Sequence, residues 1–169
     1  MARISVMLSA AFVGLAALPV LSQIAPSKDE ARPSVATPVA LTLRTDKKQY
    51  AAKDPIKFTI TAKCPAKTPV KLMFGSGMKY DIEIRKAKAP ATEKVWQWMR
   101  GRMFIQMVTF TTVSPDKPLV FNETFTPGEK GADGRVIAEL TPGTYTATAV
   151  LALSGRAPRP TTSVTFSVR

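Results

Sequence analysis

From residue 39 onward, apolar side chains recur at every second position in short runs, and clusters of proline, glycine and aspartate separate the runs. That period is the signature of half-buried β-strands joined by turns. Val39, Leu41 and Leu43 share one face, followed by a polar turn at 46–48. Ile56, Phe58, Ile60 and Ala62 point one way while Lys57, Thr59, Thr61 and Lys63 point the other. Val70, Leu72 and Phe74 repeat the alternation, Gly75 and Gly77 permit a tight turn, and Tyr80, Ile82 and Ile84 then alternate with Asp81, Glu83 and Arg85. After a proline-containing loop at 86–92 come a short strand holding Trp96 and Trp98, a turn at Gly101, and a longer strand expected over 103–113. A strand at 119–125, a glycine-rich loop at 127–134, and two further strands complete the pattern. The first of those two carries Tyr145, Ala147, Ala149, Leu151 and Leu153 on one face, and the second carries Val164, Phe166 and Val168. Eight or nine strands and no helix are predicted for this portion. The fold class is all-β, an immunoglobulin-like antiparallel β-sandwich, and Tyr145 behind Pro142 and Gly143 resembles the tyrosine corner of such sandwiches.

The N-terminal residues follow another rule. One arginine, Arg3, precedes an apolar run at 6–18, and Pro19 would end the helix that run would form. The run has the length of a signal peptide and is short for a membrane span. The expected organisation is a signal peptide at 1–22, a flexible linker rich in Pro, Ala and Ser at 23–38, and one sandwich domain at 39–169. The expected location is periplasmic or extracellular, with membrane attachment only if the leader stays uncleaved.

Charge adds an asymmetry. The chain holds 24 Lys and Arg against 12 Asp and Glu, a net charge of +12. Residues 44–102 carry fifteen basic and five acidic side chains, whereas 103–169 carry six and five. Such a face suits an acidic partner or an anionic envelope, or is simply solvated lysine that keeps strand edges apart. No nucleic-acid partner is expected, because the interleaved aromatic and basic residues of an RNA-binding sheet are missing. The single cysteine, Cys64, cannot close a disulfide within the chain and reads as a small hydrophobe at a strand end.

Candidate chemistry is thin. With no histidine, the Ser-His-Asp and Cys-His constellations and imidazole zinc sites are excluded. Ser76-Gly77-Met78-Lys79 matches the S-x-x-K spacing of serine acylases, but it precedes a strand instead of opening a helix. Gly128, Gly131 and Gly134 lack the Lys-Ser/Thr ending of a phosphate loop. Asp54, Asp81, Glu83 and Asp133 are scattered and read as a solvated face. No cofactor, metal or catalytic set is expected, and an enzyme is disfavoured. Trp96 and Trp98, two apart, either cover the core or line an exposed apolar patch.

Three ordered motifs carry a resemblance. Phe74, Ser76, Gly77, Tyr80 and Asp81 form the first. Val95, Trp96, Trp98, Gly101, Phe104 and Gln106 form the second, and Pro142, Gly143 and Tyr145 the third. Together they resemble the BsuPI-type intracellular proteinase inhibitor domain family over about residues 41–153. Met78, Ile82, Met99 and Phe125 stand where that family's pattern has Gln, Phe, Ser and Trp. The resemblance implies a compact sandwich that blocks a subtilisin-like serine protease by loop insertion into its cleft; with the expected export, another exported protein is the alternative partner. The candidate contact loops are Gly75, Ser76, Gly77, Met78 and Lys79; Lys86, Lys88 and Pro90; and Met99, Arg100, Gly101 and Arg102. The rival reading is a non-inhibitory immunoglobulin-like module that binds an envelope component or exported protein through the basic face of residues 44–102, Lys57, Lys71 and Lys79 among them.

Overall fold

A computed structural model describes residues 39–90, 92–130, 134–155 and 158–169. The expected signal peptide and linker lie outside the described residues. Ten strands and no helix are found among the described residues, in agreement with the all-β expectation. They are β1 (Ala40–Thr45), β2 (Gln49–Tyr50), β3 (Ile56–Lys63), β4 (Val70–Phe74) and β5 (Tyr80–Lys86), followed by β6 (Trp96–Gln97), β7 (Thr109–Val113), β8 (Leu119–Phe125), β9 (Gly143–Leu151) and β10 (Thr161–Val168).

One sheet has the order β1-β3-β8 and the other β2-β10-β9-β5-β6, with a separate ribbon of β4 and β7. The alternation along β3 explains its central place: Ile56, Phe58, Ile60 and Ala62 are each at most 1% exposed, and the intervening residues face outward. Leu43, Phe58, Ile60 and Phe125 of the first sheet share one core with Ile82, Ile84, Ala147, Ala149 and Phe166 of the second. The molecule is therefore two layers around apolar faces, as period-two patterning requires. A second cluster, Val39, Ala62, Leu72, Phe74, Val113 and Leu151, ties the β4–β7 ribbon to the main body. Cys64 is buried in it, its thiol 3.2 Å from the Thr68 carbonyl.

Two pairings were not legible in the pattern. β2, which directly follows the expected polar turn at 46–48, pairs in parallel with β10 through Ser167 opposite Gln49 and Val168 opposite Tyr50. The run expected as one strand over 103–113 forms a strand only at Thr109–Val113, where β4 supplies its ladder. The Tyr145 hydroxyl donates to the Thr141 carbonyl at 2.7 Å.

Candidate functional site

The start of β5 organises the motif residues. Tyr80 and Asp81 adjoin in sequence, so on a regular strand one faces in and the other out. Here both are buried, and Asp81 is the one buried charged residue among the described residues, 7% exposed. This corrects the expectation that Asp81 belongs to a solvated face. The physical reason is its set of donors: Oδ1 accepts the N–H groups of Ile82 at 2.9 Å and Met99 at 3.0 Å, while Oδ2 accepts the Gln97 amide. A buried carboxylate is tolerable only when so satisfied. Glu83, next on that face, is held by Arg85 and by Lys94 at 2.9 Å.

The Asp81 carboxylate pins the tryptophan segment to β5. Val95 donates to the Ile84 carbonyl and Trp98 to that of Ile82, both at 2.8 Å. Both indoles are buried, at 9% and 8% exposure, which settles their role as core cover. Trp96 packs on Phe125 at 4.6 Å and stacks over Phe58 at 6.5 Å. Trp98 meets Tyr80 at 4.6 Å and Phe104 at 5.6 Å, and the Arg102 guanidinium lies 4.3 Å above its ring. Tyr80 continues the chain of rings to Phe121 at 4.5 Å, and its hydroxyl donates to Glu123. Burial, with the Glu123 carboxylate added to it, holds the Tyr80 phenol well above its ordinary range.

Beyond Trp98 the chain turns. Arg100 donates to the Gln97 carbonyl at 3.2 Å and Arg102 to that of Met99 at 3.1 Å, and Gly101 takes φ of 76°, a left-handed conformation that favours glycine. The turn at 75–79 reaches the segment that follows through Gly77, whose N–H donates to the Ile105 carbonyl at 2.8 Å. A Cβ on Gly75 would come within 2.7 Å of the Ser154 hydroxyl, so the turn passes close to the end of β9. Met78 N–H is capped by the Ser76 hydroxyl at 3.2 Å.

The structure thus brings Gly75, Ser76, Gly77, Met78 and Lys79 together with Met99, Arg100, Gly101 and Arg102 at the Tyr80 end of β5. It does not bring Lys86, Lys88 and Pro90 there. Those residues begin at the opposite end of the seven-residue β5, about 20 Å along the strand at 3.3 Å per residue, where Ala87 bonds to Thr144 and Glu93 to Pro90. Of the three lysines of the rival reading, Lys57 and Lys71 are exposed. Lys79 is not a free surface charge, since its ammonium lies 4.4 Å over the Phe74 ring and bonds to Thr109.

Sequence reasoning missed the segment at 102–108. It leaves the strand pattern altogether, and Met103, Ile105, Met107 and Val108 are 99%, 75%, 55% and 58% exposed. The signal was present: Phe104, Val108 and Phe110 lie out of phase with Met103, Ile105 and Met107, so both faces of the run are apolar.

No curated protein matches the chain. Among solved structures, it is similar to a β-glucosidase from Erythrobacter marinus, at 11% identity and a TM-score of 0.41, over 78% of this chain and 16% of that one. It is similar to the sporulation control protein Spo0M from Bacillus subtilis, at 14% identity and a TM-score of 0.44, over 78% and 49% of the two chains. An alkylpurine DNA glycosylase, AlkC, from Pseudomonas fluorescens matches at 13% identity and a TM-score of 0.44, over 79% and 31%. The chain spans less than half the length of each of these proteins. The family described as "BsuPI: Intracellular proteinase inhibitor" matches residues 43–156, which include all three motifs. Its description as intracellular overturns the expected periplasmic or extracellular location. An apolar N-terminal run is a weak reporter of export by itself, whereas the match spans residues 43–156. On that match, over two thirds of its length, the chain belongs to the BsuPI family of intracellular proteinase inhibitors.

Proposed function

We propose that the chain inhibits a serine protease of the subtilisin type by inserting a loop into its cleft. The observation that supports this most is the family match over residues 43–156, because that family is described as one of proteinase inhibitors. The geometry adds a physical reason for inhibition by contact. A loop that is disordered before binding loses conformational entropy when it docks, whereas a loop already held by its own domain loses little. The turn at 75–79 and the turn at 99–102 are held by the Asp81 carboxylate, the Trp98 ring and the Gly77–Ile105 bond. An extended segment so held can add a strand to the edge of a protease cleft. Gly75, Ser76, Gly77, Met78 and Lys79 flank the contact, and Met99, Arg100, Gly101 and Arg102 lead into it. The inhibitor reading gives no part in contact to Lys86, Lys88 and Pro90, which begin at the far end of β5.

The test is titration of the purified chain into subtilisin-type and other bacterial serine proteases while hydrolysis of a chromogenic peptide is followed. Progressive slowing at micromolar chain or below is expected. Unchanged hydrolysis across the panel would defeat the proposal.

A further inference from the structure

We propose that residues 102–108 are the segment that enters the protease, and that Met103 fills its primary apolar pocket while the rim of that pocket is acidic. This rests on the inhibitor reading above and deepens it by naming the contact residue and the chemistry of the partner. Three independent features of the segment converge on it.

The first is exposure. Met103 is 99% exposed, and Ile105, Met107, Val108 and Phe110 follow it at 75%, 55%, 58% and 56%. Met73, opposite Phe110 across the β4–β7 ribbon, adds another side chain at 39%, and Met99 at the preceding turn adds one at 38%. Large apolar side chains left in water along one segment of a folded domain mark an interaction site. Methionine suits it, because its unbranched thioether adapts to the shape of a pocket.

The second is an open backbone. No backbone partner is found among the described residues for the N–H groups of Met103, Phe104, Ile105 and Gln106. The segment is thus able to pair with an edge of another chain. Among the described residues its backbone–backbone hydrogen bonds are Gly77 N–H to Ile105, the Arg102 N–H to Met99, and a local bond from Met107 to Ile105 at 3.1 Å.

The third is bracing on both sides of Met103. Arg102 lies 4.3 Å over the Trp98 ring and Phe104 packs on the same indole at 5.6 Å. The two neighbours of Met103 are therefore anchored to one buried ring, which leaves Met103 projecting from a fixed base. A single projecting side chain that meets a desolvating pocket is the geometry in which one residue carries a large share of binding energy.

Charge selects the partner. No carboxylate occurs from residue 94 to 115, nor from 55 to 80, while the exposed Lys71, Arg100 and Arg102 lie in those stretches. An acidic rim around the pocket complements them. A second copy of this chain docked through the same face would set these cations against their own kind.

The experiment uses the full chain against a subtilisin-type protease that accepts large apolar side chains, with Met103→Asp as the variant and Val136→Asp as the control. Val136 is also exposed, at 46%, and lies outside the segment. Met103→Asp is expected to weaken inhibition at least about 100-fold, the loss typical of a central anchor residue, with an unchanged urea midpoint because the side chain touches solvent in the free protein. Val136→Asp is expected to stay within about threefold of the parent, as surface contacts outside a binding centre do. Inhibition by the parent should also weaken as salt rises. If the parent inhibits and Met103→Asp inhibits within threefold of it, the inference is overturned while the inhibitor reading stands. If the parent slows no protease, the inhibitor reading itself has failed. Sedimentation that shows a dimer of the parent dissolved by Met103→Asp would assign the face to self-association and also overturn the inference.

Discussion

Replacing Asp81 with alanine tests the physical account of the site most directly. In the folded chain its carboxylate accepts two backbone N–H groups, those of Ile82 and Met99, and the Gln97 amide. Each hydrogen bond to a charged group contributes about 1.5–3 kcal/mol, and a donor left buried without a partner costs a similar amount. Two terms reduce the total. The Gln97 side chain is half-buried and can turn to water, and removing the carboxylate relieves the cost of keeping a charge out of water. A net loss of about 2–4 kcal/mol is expected, a large fraction of the roughly 5–15 kcal/mol that holds a domain together. Urea unfolding followed by tryptophan emission reads it, since Trp96 and Trp98 flank Gln97 and adjoin the lost contacts. Asp81→Asn provides the graded control. It keeps an oxygen for the two backbone donors but turns an NH2 group toward Gln97, whose own oxygen is held by Lys94 at 3.1 Å. A loss of about 1 kcal/mol is expected for it, the scale of one neutral hydrogen bond. An alanine variant within about 0.5 kcal/mol of the parent, the range of ordinary surface changes, would refute the reasoning.

Other consequences are open to measurement. Gly101→Ala places a side chain at φ 76° and is expected to lose about 1 kcal/mol in urea unfolding; no loss would mean that the turn relaxes to another conformation. Tyr145→Phe removes the bond to the Thr141 carbonyl and is expected to cost about 1–2 kcal/mol, read as a lower thermal midpoint. The Tyr50 phenol is pushed up to about 12 from 10, first by burial and then by its bond to Asp46. Between those values the unfolded chain loses a proton that the folded chain keeps, so stability that is complete below pH 10 falls as pH rises toward 12. The two-unit shift amounts to at most about 2–3 kcal/mol, and less where solvent screens the part-buried hydroxyl, and Tyr50→Phe is expected to flatten that alkaline loss in pH-dependent unfolding. At the acid end, Asp46 has the opposite sign. Burial raises it, but the Tyr50 hydroxyl and the Lys57 N–H outweigh this and lower its pKa, so its contribution is expected to persist above the ordinary 3.8 and to vanish as pH falls below it.

The sandwich could be read from the chain because burial on one face of a strand imposes its period on the residues themselves. β3 shows why: Ile56, Phe58, Ile60 and Ala62 alternate with Lys57, Thr59, Thr61 and Lys63, and no other regular structure buries the first set alone. Asp81 could not be read so. Alternation places it outward, and what buries it is a pair of donors, Gln97 and Met99, that lie sixteen and eighteen residues away in sequence. The segment at 102–108 failed for a related reason. Its apolar residues resemble a strand, but a strand also needs a partner, and β4 runs out at Phe74, opposite Thr109. The candidate contact loops were legible only in part. The turn at 75–79 reaches the segment that follows the turn at 99–102 because Gly77 bonds to Ile105, a bond that no local pattern announces. The loop after Lys86 lies near them in sequence, but β5 carries it to the other end of the sheet.

The place of β10 bears on how such a domain is born. It is the latest of the ten strands in chain order, yet it lies between β2 and β9, so the five-stranded layer stays divided until that last ribbon is made. During synthesis, Tyr50 and Tyr145 must wait for Phe166, on which both rings rest at 5.7 Å. Pairings that span more than a hundred residues close slowly, and a nascent chain of this kind exposes greasy, unpaired edges for as long as it lacks its closing strand.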